Sequence, residues 1–166
     1  MAKSILTPEL LRERVHYDPE TGLFTWRISH KRARAGELIG TPDGSYLKGQ
    51  IGGTLYSLHR LAWFYVHGTW PVGVIDHKDG DGFNNRIDNL RDVPDMVNSQ
   101  NRQGANTNSK SGVLGVRWHK RDQVWIAEIK LPGARRQTHL GTFKTIEAAS
   151  EAYLVAKRAH HEGCTI

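Results

Sequence analysis

Hydrophobic positions change spacing several times along the chain, and each spacing predicts an element. Leu11 and Val15 sit four apart behind Thr7-Pro8-Glu9, which offers a capping threonine, a proline suited to the first helical position and an acid in the first turn. A short amphipathic helix is expected there. The turn formers Asp18-Pro19-Glu20-Thr21-Gly22 lead into a strand from Leu23 to Ile28. Residues 29–45 are rich in Lys, Arg and Gly and read as a basic loop. Tyr46 to Ile51, Gly52-Gly53 and Thr54 to Ser57 have the form of a hairpin closed by a glycine turn. A helix from Leu58 to His67 follows, with Leu58, Leu61, Ala62 and Tyr65 on one side and Gly68 as its stop. Trp63, Phe64 and Trp70 are large enough to build a core shared with an apolar strand at Val72 to Ile75.

Beyond that strand the pattern breaks into Asp76-His77, a loop of Lys78-Asp79-Gly80-Asp81-Gly82 and Asn84-Asn85-Arg86, then Asn89-Leu90. Pro94 to Arg102 is a plausible helix carrying Asn98 and Asn101. Residues 103–112 hold no aliphatic side chain larger than alanine and read as a linker. Alternation then returns. In Trp125 to Leu131 the odd positions are apolar while the even ones include Glu128 and Lys130. Val116 and Trp118 oppose Arg117 and His119, and Arg135, Gln137 and His139 fall apart from Leu140. Thr145 caps a last helix whose Ile146, Ala149, Ala152, Tyr153 and Ala156 make a stripe of mostly small residues, suited to close packing on a sheet. One face of that sheet is then covered, and Arg117, His119, Glu128, Lys130, Arg135, Gln137 and His139 gather on the other as donors and acceptors for base edges and phosphates.

Charge sharpens this picture. The 166 residues carry a net +6, distributed unevenly: nine Lys/Arg against six Asp/Glu in residues 1–71, four against six in 72–104, and ten against five in 105–166. An acidic centre between basic flanks suits a cation site inside a polyanion-binding protein. The single cysteine, Cys164, excludes an internal disulfide and a cysteine-rich zinc site. Mean hydropathy is −0.55. No run approaches the roughly 18 apolar residues of a membrane helix, and Met1-Ala2-Lys3-Ser4 leads into no signal-peptide core, so a cytoplasmic protein is expected.

The central stretch has the residue types that phosphodiester hydrolysis needs. The attacking water must lose a proton, a task for an imidazole, whose ordinary pKa is roughly 6.5. Charge growing on the phosphate and leaving oxygen calls for a divalent cation. His77 is the candidate base. Asp76 and Asn98 form an all-oxygen ligand pair, which suits Mg²⁺ or Mn²⁺ more than zinc. Asn89, twelve residues after His77, is placed to tie the loop backbone and hold the imidazole. Arg86 and Arg91 could hold a phosphate or brace the loop through a salt bridge.

Taken together, Asp76-His77, Asp79-Gly80-Asp81, Asn84-Asn85-Arg86, Asn89-Leu90 and the downstream Asn98 resemble the HNH endonuclease family, in particular its phage and homing-type members with a ββα-metal fold. The resemblance implies His77 as general base, Asn89 as the structural middle letter and Asn98 with Asp76 as metal ligands. The third letter is asparagine here where the family name has histidine. His59-Arg60 resembles a pair that precedes the motif in many phage members and is read as bracing the fold or a phosphate.

Residues from Ser111 to about Gly163 resemble the plant ethylene-response-factor (APETALA-type) DNA-binding domain. The motifs are Gly115-Val116-Arg117, Ala127-Glu128-Ile129, His139-Leu140-Gly141-Thr142-Phe143 and Glu147-Ala148-Ala149 with Ala152-Tyr153. The resemblance implies a three-stranded sheet in the major groove, with Gly115, Arg117, His119, Glu128, Lys130, Gln137 and His139 at the DNA. Leu114 and Gln137 stand where that family has arginines and His139 where it has tryptophan, so base specificity does not carry over.

The expected protein is therefore of the α+β class. An N-terminal helix and hairpin support region spans 1–71, a ββα-metal nuclease core 72–104, a linker 105–111, and a small three-stranded antiparallel sheet packed on one helix 112–166. The expected function is metal-dependent cleavage of double-stranded DNA, by nicking or double-strand scission. A monomer with one site would nick, and a double-strand break would need a dimer or two visits. The alternative is a sequence-specific DNA-binding regulator whose nuclease core is inactive. An RNA-binding module is weaker, because a sheet shaped for the DNA major groove has no access to the deep, narrow groove of RNA.

Overall fold

The computed structural model describes residues 6–30 and 33–166. Met1 to Ser4 and, within the expected basic loop, Lys31 and Arg32 lie outside the described residues. The chain forms two compact units that part between Pro94 and Asp95.

The first unit opens with helix α1 (Pro8–Arg14), where Thr7 Oγ1 accepts the amide of Leu10 and proline occupies the first turn. The chain then turns extended, so Val15 is buried as the first residue of strand β1 (Val15–Tyr17) and not as a further helical turn. Strand β2 (Phe24–Trp26) pairs antiparallel with β1 and with β3 (Leu38–Ile39). A second sheet orders β4 (Thr41–Asp43), β5 (Tyr46–Ile51) and β6 (Thr54–Ser57), all antiparallel. The stretch read as a basic loop therefore contains two short strands and an isolated His30–Ala33 bridge. Strands of two and three residues that pair on one side only leave too little alternation to be seen in sequence.

Helix α2 (Leu58–His67) presents Leu58, Leu61, Ala62 and Phe64 to the interior and ends at Gly68. Its apolar face closes one core with Leu11, Val15, Tyr17, Phe24, Ile39 and Ile51. Trp70 stacks on Phe64 at 4.2 Å with rings 5° apart, and on Tyr56 at 5.6 Å. Strands β7 (Val74–His77) and β8 (Leu90–Val93) form an antiparallel ribbon whose Ile75 and Leu90 join this same core. The ribbon consequently belongs with the N-terminal region, although the expected boundary set it apart at residue 72. Strand β8 carries little signal in sequence, because its four residues alternate only Leu90 and Asp92 against Arg91 and Val93.

The second unit begins with helix α3 (Asp95–Gln100). The Gln100 side chain accepts the amide of Gly163, Thr165 donates to Asn101, and the buried Lys157 amine donates to the Arg102 carbonyl. These bonds attach α3 to the C-terminal tail, so the expected 72–104 core is divided after Pro94. The small polar run 105–111 is also part of this unit. Arg102 reaches the Asn106 side chain at 2.6 Å, and the Ser111 hydroxyl donates to the Val116 carbonyl at 2.6 Å.

Strands β9 (Val116–His119), β10 (Val124–Ile129) and β11 (Thr138–Phe143) form an antiparallel sheet in the order β11-β10-β9. Helix α4 (Ile146–His160), capped by Thr145, packs on it through Ala149 against Val116 and Ala127. Gly115 marks how closely helix and sheet approach, because a methyl group on it would lie 2.0 Å from the Tyr153 ring. Its φ of +65° also disfavours a side chain. Gly115→Ala is expected to lower stability by about 1–3 kcal/mol through overpacking and backbone strain. A thermal melt followed by near-ultraviolet circular dichroism checks this, and an unchanged melting temperature contradicts so close an approach of helix and sheet.

Candidate functional site

Strand β7 ends on Asp76 and His77, both buried, with Asp76 opposite Arg91 and His77 opposite Leu90. Neighbouring residues on a strand project to opposite faces, so the carboxylate and the imidazole leave the ribbon in different directions. The Asp76 carboxylate is gripped by Arg91: Nε donates to Oδ2 at 2.7 Å, and a second guanidinium nitrogen lies 2.6 Å from the same oxygen. Arg91 thus braces Asp76, whereas Arg86 meets the exposed Asp88 at 3.3 Å.

The loop that follows is knotted by Asp79 and Asn89. Asn89, in a 3₁₀ turn at Ile87–Asn89, donates to the Asp79 carboxylate and the Asn84 carbonyl, both at 2.9 Å, and accepts the Asp79 amide at 3.1 Å. Its carbonyl takes the Lys78 amide at 2.9 Å. One side chain therefore holds both ends of the loop. Partial burial pushes the Asp79 carboxyl up, but the Asp81 amide and the Asn84 and Asn89 side chains outweigh it and hold the group below its ordinary value.

His77 meets a partner that sequence reasoning does not single out. Asn85 is 1% exposed, and its Oδ1 lies 3.3 Å from His77 Nε2. An amide oxygen can only accept, so the Nε2–H tautomer of the imidazole donates to Asn85 here. Asn85 is itself clamped. The Tyr17 hydroxyl donates to its carbonyl at 2.7 Å, and burial pushes the phenol's pKa up, so it stays a donor at every working pH. Gly22 lies against the backbone of Asn85 and Arg86, where an added methyl would come within 2.6 Å, and the Ile87 amide reaches the Pro19 carbonyl. Two neighbouring asparagines in a polar loop carry no periodic signal, so nothing local distinguishes the buried Asn85 from the half-buried Asn84.

The aromatic rings of Tyr46 and His59 pack beside His77. Their centroids lie 5.9 Å and 5.3 Å from that of His77, and 5.0 Å from each other. His59 is buried on α2 with its Nδ1 unpartnered. Burial, with His77 and Arg60 nearby, lowers its pKa to about 4.

Residues 56–100 match the family model for HNH endonucleases. The matched segment contains His59, Asp76, His77, Asn85, Asn89 and Asn98, and it points to a nuclease. Over 103 residues, 61% of this chain and 83% of the relative, the sequence is 29% identical to Protein 3.8 of Escherichia phage T7. No solved structure matches.

Asn98 lies half-buried on α3, in the second unit. Among the described residues no group of three or more His, Cys, Asp or Glu side chains is placed to hold a metal ion. The Asp76 carboxylate is nonetheless chemically suited to a hard cation such as Mg²⁺, which takes one or two protein oxygens and fills its remaining positions with water and substrate phosphate. Such an ion would share the Asp76 carboxylate with Arg91. Among the described residues no helix is long and apolar enough to cross a membrane.

On the second unit's sheet, Arg117, His119, Glu128 and His139 occupy strands, and cross-strand pairing of Glu128 with His139 places them on one face. The register shifts between Ala127 and Glu128, a bulge that brings His139 opposite Glu128. Lys130, Arg135 and Gln137 lie outside the strands: Lys130 just beyond β10, the other two in the bend before β11. Proline and glycine at 132 and 133 end the alternation there. The polar face also holds the apolar Val124, opposite His119, and Ile126, 7% exposed. Arg117 grips Glu128 through two bonds of 2.9 and 3.1 Å, which lower the carboxyl's pKa. His119 Nδ1 lies 3.2 Å from Asp122.

A buried neutral His59 makes stability depend on pH. Its pKa is about 4 when folded and about 6.5 when unfolded, so between these values the unfolded chain binds the extra proton. Stability is therefore unaffected by His59 above about pH 6.5 and declines as pH falls toward about 4, by about 3 kcal/mol at most. Urea unfolding of the wild type at pH 7 and pH 4.5 measures the decline. His59→Gln should flatten it, and an equal decline in both proteins would remove His59 as its source.

Proposed function

We propose that this protein is a metal-dependent HNH DNA endonuclease that hydrolyses a phosphodiester of duplex DNA. The observation that carries the reading is the buried His77 held against the Asn85 amide oxygen, which in this reading accepts the Nε2 proton and leaves Nδ1 to act as the base. His77 Nδ1 takes a proton from the attacking water. The water oxygen bonds to phosphorus, the bond from phosphorus to the 3′ oxygen breaks, and the leaving oxygen is protonated from solvent. Asp76 is the side chain of the first unit that would hold a divalent cation, Mg²⁺ or Mn²⁺. When bound, that cation supplies charge neutralisation at the phosphorane and the leaving oxygen. Asn89 keeps the loop in shape and Asn85 keeps the ring in register.

The second unit, in this reading, selects the DNA. Arg117, His119, Glu128 and His139 on the strands, and Lys130, Arg135 and Gln137 at their ends, form a surface of donors, acceptors and cations similar to the APETALA-type pattern. Arg117 and Glu128 exchange their mutual hydrogen bonds for base edges on binding.

A DNA-binding regulator without cleavage is the second reading, and the Arg91 grip on Asp76 favours it, since a guanidinium already neutralises the carboxylate a cation needs. Nicking of supercoiled plasmid with Mg²⁺ or Mn²⁺ separates the two. His77→Ala should slow nicking at least about 100-fold, the contribution expected of a positioned base. Asn85→Ala should slow it about 10–100-fold, as removal of an orienting partner does. Equal nicking by wild type and His77→Ala removes the histidine from the mechanism, and no nicking on any DNA leaves the regulator. For the second unit, changing Lys130 and Arg135 to Gln should reduce the salt slope of duplex binding by about 0.9 for each phosphate that a removed cation had neutralised. An unchanged slope in fluorescence anisotropy would take these cations off the DNA.

A further inference from the structure

The second unit has a groove of about 770 Å³ that is lined by no carboxylate. Its floor is aromatic. Trp118 and Trp125 pair directly across β9 and β10 with ring centroids 4.9 Å apart, and Trp118 remains 44% exposed. Its rim is cationic: Lys110, Lys120 and Lys144 border the groove, with Arg117 on the edge strand. Among the described residues none of the three lysines has an ion-pair partner.

Parity separates the groove's aromatic floor from the surface proposed for duplex DNA, while Arg117 borders both. Trp118 and Trp125 share the sheet face that α4 covers through Ala149, Val116 and Ala127, whereas Arg117, Glu128 and His139 alternate to the other face. Trp118 lies toward the end of β9, outside the Val116, Ala127 and Ala149 cluster, and this leaves its ring exposed. An exposed tryptophan backed by a second one is a costly arrangement to leave bare in water.

We propose that this groove binds an unpaired stretch of DNA, stacking a base on Trp118 and holding the flanking phosphates with Lys110, Lys120 and Lys144. A base inside a duplex has both faces stacked and offers none to the indole, so the aromatic floor selects unpaired nucleotides. The rim of cations without a carboxylate matches the phosphodiester backbone and sets the sign of the ligand's charge. Strand ends released at a nick have this chemistry, but the site stands on the second unit's own geometry and does not depend on His77 being catalytic.

The test uses the full chain and a fluorescein-labelled oligothymidylate, which has no secondary structure, with binding followed by anisotropy. Trp118→Ala should weaken binding at least about tenfold while Trp118→Phe largely retains it, because stacking needs a ring and not an indole. Lys120→Gln with Lys144→Gln, both exposed positions with no structural partner, should lower the slope of log affinity against log salt by about 0.7 for each lysine. Equal binding by wild type and Trp118→Ala overturns the proposal, as does an unchanged slope in the lysine variant. Unlabelled duplex that competes as well as the oligothymidylate, and loses affinity equally in Trp118→Ala, assigns the groove to duplex and also overturns it. Competition by polyglutamate at the same charge concentration overturns it in favour of an acidic peptide.

Discussion

A buried imidazole loses its water, and the neighbours that replace the water decide how its ring is held. The contact between the Asn85 amide and His77 Nε2 replaces part of that water, and much of the first unit packs around it. Asn85 cannot rotate away because Tyr17 holds its carbonyl from β1 and the turn at Gly22 lies against its backbone. Asn89 and Asp79 brace the same loop from its other end. Tyr46 and His59 shield the ring from two further elements. The apolar core of α1, β1, β2, β5 and α2 therefore acts at the site through a handful of polar contacts.

The same arrangement explains why the nuclease-like segment does not stand alone. A ribbon of two four-residue strands buries little surface, and isolated hairpins are marginal in water. Ile75 and Leu90 gain their burial from Leu11, Phe24, Leu61 and Phe64, which arrive from the preceding residues. The family match spans residues 56–100, while Tyr17, Gly22 and Tyr46, which position the loop, lie upstream of it. The family match therefore takes in the loop but not these upstream residues that pack against it.

The second unit separates two kinds of surface on one thin sheet. Helix α4 approaches closely because it offers alanines and because Gly115 leaves room for Tyr153. One sheet face is consequently apolar with an aromatic extension at Trp118. The other is polar, with Arg117 and Glu128 hydrogen-bonded to each other. The buried Lys157, donating to the Arg102 carbonyl, ties the helix to the strand-free segment after α3. A lysine in a stripe of alanines looks like the solvent edge of a helix, and only the segment folded over it makes it interior.

Local pattern alone determined the elements with strong periodicity or strong punctuation: α1 behind Thr7-Pro8, the hairpin at Gly52-Gly53, α2 up to Gly68, the strand into His77, and the sheet and helix of the second unit. Those signals are short-range, because caps, turns and alternation are decided within a few residues. The residue types at 76, 77, 89 and 98 likewise suggest phosphodiester chemistry by their identity and spacing. Tertiary structure decided what depends on distant partners. It buried Asn85 against His77, paired Asp76 with Arg91, lowered the His59 pKa, drew β7 and β8 into the N-terminal core and α3 into the second unit, and left Trp118 exposed. Each of these follows from desolvation or contact across long stretches of chain, and neither quantity is written in the residues that experience it.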